Sequence, residues 1–175
     1  MIAAGVFPAG AHVELLGGIL VDKMTQNDPH DASVAQLAEK LREILPAGWV
    51  VREEKSVVLG AYERPEPDIA VARGAQLDYF GRAPRASDLA LVVEVADTSY
   101  AKDRGTRWRR YANARIPHYG VVNLPARLVA VFSLPAGKGR TAAYRNSVSI
   151  GFDDEVSFVI EGREVGRVAV KEFLQ

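Results

Sequence analysis

The sequence predicts an α/β (α+β) fold: a mixed central β-sheet flanked by helices, with an N-terminal β-hairpin and further strands at the C-terminus. Three observations carry this expectation. The stretch 89–95, LALVVEV, is apolar everywhere except Glu94, as a strand covered on both faces requires. The stretch after Asp28 spaces its apolar residues at helical intervals. The order of elements (hairpin, helix, strands, helix, strands) interleaves both types, as a sheet with helices packed on it does. At 175 residues, one domain over 1–175 has enough chain for a core, and no repeat or linker divides it.

Taken in order, Val13 to Met24 reads as two short strands joined by Gly17-Gly18, a two-residue hairpin signal. Asp28 is placed to cap the first helix and Pro29 suits its first turn. Val34, Leu37, Ala38, Leu41, Ile44 and Leu45 share one face, and Pro46 and Gly48 stop it. Trp49 to Leu59 follows as a strand with a polar middle, Arg52-Glu53-Glu54-Lys55. A turn-rich connector leads to a strand over Asp68–Ala72, then a surface loop from Arg73 to Asp88. After the central strand, the polar Asp97-Thr98-Ser99 cluster starts a helix over Lys102–Ala114. His118–Asn123 and Leu128–Leu134 read as strands, and the rest alternates strand-like runs with glycine turns, closing at Val168–Leu174.

Lys plus Arg and Asp plus Glu are equal at 22 each, so any nucleic-acid surface has to be a local patch. The absence of cysteine excludes a disulfide framework and a thiolate zinc site, and suits a cytoplasmic protein. The start, MIAAGVFPAGAHVELL, lacks a basic n-region and is interrupted by His12 and Glu14, so no signal peptide is expected. No apolar run approaches the ~20 residues that span a membrane. A soluble, cytoplasmic protein with no membrane partner is the expectation.

Two acids stand out. Asp68 begins the run DIAVAR, and Glu94 sits near the end of the central strand. If those strands pair, both carboxylates reach one Mg²⁺, whose oxygen ligands lie about 2.1 Å away. Such an ion polarises a phosphoryl oxygen and lowers the pKa of its water. A nearby cation would then orient the nucleophile or stabilise charge on the phosphate. Downstream, Lys102, Arg104, Arg107, Arg109 and Arg110 are interleaved with Trp108 and Tyr111, a composition that suits phosphate backbone. Its plainer reading is a solvated helix surface. The sequence holds no GxxxxGK[ST] loop, GxSxG elbow or HExxH motif, and His12, His30 and His118 lack metal-ligand spacing.

Pro67-Asp68, followed by Glu94-Val95-Ala96 at the end of a hydrophobic strand, resembles the PD-(D/E)XK nuclease superfamily. PEPDIAV, LVVEVADTS, Asp103-Arg104-Gly105, Tyr111-Ala112 and IPHYGVVN together resemble the Uma-type family of endonucleases. The likeness extends over nearly the whole chain, including the hairpin followed by His30 near the first helix start. It implies a restriction-endonuclease-like fold and Mg²⁺-dependent (or Mn²⁺-dependent) hydrolysis of DNA phosphodiesters by metal-activated water. Asp68, Glu94 and the adjoining Val95 match its metal-binding positions. Arg107 stands where the family carries a lysine on the following helix, with Glu54 and His30 as further members of the site. Lys102, Arg104, Arg107 and Arg110 are the expected nucleic-acid contacts, and a homodimer is expected because duplex cleavage commonly needs two sites.

The departures define an alternative. The lysine expected two positions after Glu94 is Ala96, and Arg107 keeps the charge but cannot lose its proton. The family's hairpin acid is matched by Ile19. The alternative is therefore a catalytically impaired module that binds nucleic acid or protein without cleaving it. Each residue also has a structural reading. Asp68 can be a strand-start acceptor, Glu94 the partner of a buried arginine, and Arg107 an i,i+4 partner of Asp103. His30 can be a surface or capping residue, Tyr111 core packing, and Glu54 part of a solvated strand face.

Overall fold

The computed structural model describes residues 13–22, 27–97 and 103–175. Strands β1 (Val13–Leu16) and β2 (Ile19–Asp22) form the expected hairpin, and Gly17 and Gly18 both take positive φ, as its two-residue turn demands. Lys23 and Met24, assigned to the hairpin from sequence, lie outside the described residues. β1 also pairs with the short β4 (Glu63–Arg64), giving a small sheet of order β2-β1-β4.

Helix α1 runs Asp28–Ile44. Its cap is Asn27, one residue earlier than expected: Asn27 is extended and its side chain accepts from the His30 N–H at 3.1 Å. Asp28 and Pro29 then occupy the first turn, where an acid meets the positive helix end and the missing proline N–H costs nothing. His30, Ser33, Val34, Leu37, Ala38 and Leu41 form the buried stripe.

β3 (Trp49–Glu53) is shorter than the Trp49–Leu59 strand expected from sequence. Glu54 adopts φ 49°, a left-handed conformation that ends the ladder and turns the chain away. β5 (Ile69–Arg73) starts one residue after Asp68. The Arg73–Asp88 connection is a loop, as expected, carrying short 3₁₀ turns at Gln76–Tyr79 and Ala86–Asp88.

β6 (Leu89–Ala96) is buried at every position. It lies between β5, antiparallel, and β7 (His118–Asn123), parallel, in a six-stranded sheet of order β3-β5-β6-β7-β8-β9. The parallel pair needs a crossover. It includes a π-helical segment, Asp103–Arg107, running into α2 (Trp108–Asn113). Thr98, Ser99 and Lys102, expected to start this helix, lie outside the described residues. β8 (Leu128–Ala136) and the edge strand β9 (Ala143–Gly151) complete the sheet, joined by the glycine-rich turn around Lys138. β10 (Glu155–Ile160) and β11 (Arg163–Ala169) form a separate hairpin.

The sheet has a core on each face. On one, α1 packs with Leu91, Val93 and Val95 of β6 and with Val156, Phe158, Val168 and Phe173 of the C-terminal segment. On the other, α2 covers Val92 and Ala96 together with Tyr119, Phe132 and Tyr144. The alternation of β6 therefore turns Glu94 towards the α2 face. No described helix is long and apolar enough to cross a membrane.

Candidate active site

The two predicted acids sit side by side at one end of the central strands. Ile69 pairs with Val93, so the register extended by one step sets Asp68 opposite Glu94. Both are buried. Their carboxylates, however, have different neighbours.

Asp68 turns its carboxylate along the strand end. Oδ2 accepts from the Val95 N–H at 2.8 Å and lies 3.2 Å from His30 Nε2. His30 is delivered by the first turn of α1, where Asn27 holds its backbone, and its other ring nitrogen lies 3.2 Å from Asp31. Burial works against charging the imidazole, but the hydrogen bonds and negative charge of Asp68 and Asp31 outweigh it and raise its pKa. Val95, assigned to the metal from the motif, meets Asp68 through its amide, so only its carbonyl oxygen would be free in kind to ligate.

Glu94 faces the helical crossover. Its Oε1 accepts from Arg107 at 2.7 Å and from the Tyr111 hydroxyl at 2.7 Å. Tyr111 is a core residue, as its structural reading held, and a partner of Glu94 as well. Burial, reinforced by the Glu94 charge and eased by Arg107, pushes its pKa well above the ordinary phenol value, so it stays a donor.

Arg107 is buried and bridges Glu94 to a third carboxylate, Glu14 of β1. Its guanidinium donates to Glu14 at 3.2 and 2.7 Å, a fork-to-fork arrangement, and the backbone N–H of Glu66 adds a bond of 2.8 Å to Glu14 Oε1. Glu14 was not singled out from sequence. The signal was the alternation of β1, which puts it on the same inward face as Leu16, whereas Ile19, matched to the family's hairpin acid, is 67% exposed.

The other expected members are further out. Glu54 lies beside Asp68 through the backbone, its N–H donating to the Asp68 carbonyl at 3.0 Å, while its side chain belongs to the exposed surface. Arg110 pairs with Glu63 and, with Gly17, Thr106, Arg109 and Asn113, lines a groove of about 300 Å³. Lys102 and the side chain of Arg104 lie outside the described residues.

Asp68 and Glu94 offer hard carboxylate oxygens on adjacent strands, the donor chemistry that Mg²⁺ takes. Among the described residues, no three His, Asp or Glu side chains form a group arranged around an ion. Next to Glu94 stands the Arg107 guanidinium. The donor chemistry fits a divalent cation at Asp68 and Glu94, and such an ion would compete with Arg107 for Glu94 Oε1.

Acids at the ends of adjacent strands of a mixed sheet, with a basic helical crossover behind them, define a restriction-endonuclease-like architecture. The sequence pattern of the Uma2 family, described as "Putative restriction endonuclease", matches residues 3–159, and the chain belongs to that family. The fold is also similar to a crystal structure described as a putative nuclease belonging to DUF820 from Anabaena variabilis. The TM-score is 0.69 at 10% identity, over 98% of this chain and 94% of that one. Comparison with curated proteins gives no match.

Proposed function

We propose that this protein is a divalent-metal-dependent endonuclease that hydrolyses DNA phosphodiester bonds. The reading rests on one relationship above all: the β5–β6 register, extended one residue beyond Ile69, sets Asp68 opposite Glu94, as suits two acids sharing an ion. They are the residues that would hold the cation, which when bound supplies phosphoryl polarisation and an activated water. The protein's own groups do the rest. His30 and the Val95 amide orient Asp68; Tyr111 orients Glu94; Arg107, released from Glu94, would clamp the phosphate as the negative charge grows. In this reading the protein works in the cytoplasm as a single domain and pairs as a homodimer to cut both strands. The test is cleavage of plasmid and single-stranded DNA with Mg²⁺ or Mn²⁺, beside Asp68→Ala and Glu94→Ala. Loss of cleavage in both variants is expected; equal cleavage by all three proteins removes the acids from the mechanism.

A second reading is favoured by a specific contact. Arg107 is held by Glu14 and Glu94 together, which suits a nuclease fold that has exchanged a mobile lysine for a fixed internal cation. Such a protein binds nucleic acid or protein without cutting. Arg107→Lys separates the two: cleavage that appears or rises with metal marks an impaired nuclease, and binding without cleavage marks the module.

A further inference from the structure

Arg52, on the edge strand β3, is only 9% exposed. Burying a guanidinium is costly unless a carboxylate or a set of acceptors compensates it. Neither is present among the described residues: Arg52 has no ion pair there, and its Nε is buried with no hydrogen-bond partner. What it has is an aromatic ring, with its guanidinium carbon 4.9 Å from the centroid of Tyr79. A second cation, Arg82, stands 4.8 Å from the same centroid, but Asp88 neutralises it at 2.7 Å. Burial lowers the pKa of Arg52, and the Tyr79 ring beneath it works the other way.

Its place in the sheet gives this open charge a meaning. Arg52 pairs with Ala70, and Ala70 with Val92, so these three form one row across β3, β5 and β6. The next row on the same face, two residues along, contains Asp68 and Glu94. From strand spacing and rise, the Cα atoms of Arg52 and Asp68 are roughly 8 Å apart. Phosphates repeat at every nucleotide, so a strand held at the acids carries a neighbouring phosphate past the arginine.

We propose that Arg52, stacked on Tyr79, is an anion site that takes a backbone phosphate of nucleic acid flanking the one at Asp68 and Glu94. The Tyr79 ring lies under the guanidinium, and its own hydroxyl is tied to the Arg73 carbonyl at 2.5 Å, so the ring is in place before the anion arrives. The nucleic-acid source of the phosphate rests on the function proposed above; the anion site itself does not.

Thermal unfolding in inorganic phosphate against chloride at matched ionic strength tests the site. Wild type is expected to show a saturable phosphate-specific rise in Tm, Arg52→Met none, and Arg52→Lys a rise needing several-fold more phosphate. No such rise in wild type, an equal rise in Arg52→Met, or an unchanged midpoint in Arg52→Lys overturns the site. The lysine variant and the wild-type comparison decide the matter even if the methionine variant does not fold. A single-stranded oligonucleotide tests the source. The slope of log Kobs against log salt should become shallower by about 0.7 without Arg52, the loss of one phosphate contact. An unchanged slope beside a lost phosphate response overturns the nucleic-acid assignment. Wild type that responds to phosphate but binds no DNA overturns both that assignment and the function above, and leaves the anion site standing.

Discussion

Glu14 and Arg107, 93 positions apart in sequence, are joined by two hydrogen bonds in which guanidinium Nη1 and Nη2 donate to carboxylate Oε1 and Oε2. The N-terminal hairpin is thereby tied to the crossover behind Asp68 and Glu94. Glu14 is 1% exposed, so neither partner can turn to water if the other is removed. Removing Glu14 leaves Arg107 its bond to Glu94 but takes away, inside the protein, the two bonds that Glu14 accepts, at a cost of about 3 kcal/mol. Glu14→Ala is expected to lose that much stability in urea unfolding, with a fall in Tm of ~2–4 °C for each kcal/mol. A loss under about 0.5 kcal/mol would mean that Arg107 finds its compensation elsewhere.

Tyr111→Phe isolates a single donor. The ring is 1% exposed and packs on Tyr119 with centroids 4.9 Å apart, and phenylalanine keeps that packing. What disappears is the hydroxyl bond to Glu94 Oε1. A hydrogen bond to a charged acceptor is worth roughly 1.5–3 kcal/mol. Equilibrium unfolding should show a loss in that range, and metal-dependent DNA cleavage should fall as Glu94 loses one of its restraints. A stability change within experimental scatter would reduce Tyr111 to packing alone.

The extent to which these features were legible in sequence follows the range of the forces involved. β6 could be read from its own residues, because burial on both faces imposes a continuous apolar run. The α1 stripe could be read for the same local reason, and its cap was misplaced by one residue because Asn27 and Asp28 are chemically alike. β3 was overextended, since nothing in Arg52-Glu53-Glu54-Lys55 signals that Glu54 turns left-handed. Asp68 and Glu94 were visible because a carboxylate beside an apolar run is anomalous. The identity of Arg107's partners was not. The local candidate, Asp103, was the only one that sequence spacing could offer, whereas Glu14 and Glu94 reach Arg107 through sheet packing. Arg52 was hidden for the opposite reason: within a run of charges it looks solvated.

Gly166→Ala probes how the C-terminal hairpin seats on α1. A Cβ at Gly166 would lie 2.8 Å from Ile44 Cβ and 2.9 Å from its Cγ2, inside any real contact distance. Ile44 is on the last turn of α1 and β-branched, so it cannot swing its Cβ away without moving the helix. Overpacking of this kind costs about 1–3 kcal/mol. The double variant with Ile44→Ala should recover part of that loss, a coupling that a double-mutant cycle measures. Strict additivity of the two changes would place the strain elsewhere.

The contact between His30 and Asp68 gives stability a pH dependence of defined sign. The folded-state pKa of His30 is raised above its ordinary 6.5. The protonated imidazole is thus favoured in the folded protein, and the stabilisation is fully present below the unfolded pKa, near 6.5, and lost as pH rises through the folded value. His118 acts the other way: burial lowers its pKa, so its cost appears as pH falls. Comparing His30→Gln with wild type at each pH cancels the His118 contribution, since the two histidines lie on different elements. The stability difference between these two proteins should be large at pH 5.5, shrink as pH rises through the raised pKa and level off by pH 9. A difference that stays constant with pH would show that the ring serves Asp68 in its neutral form at every pH, as a hydrogen-bond donor and nothing more.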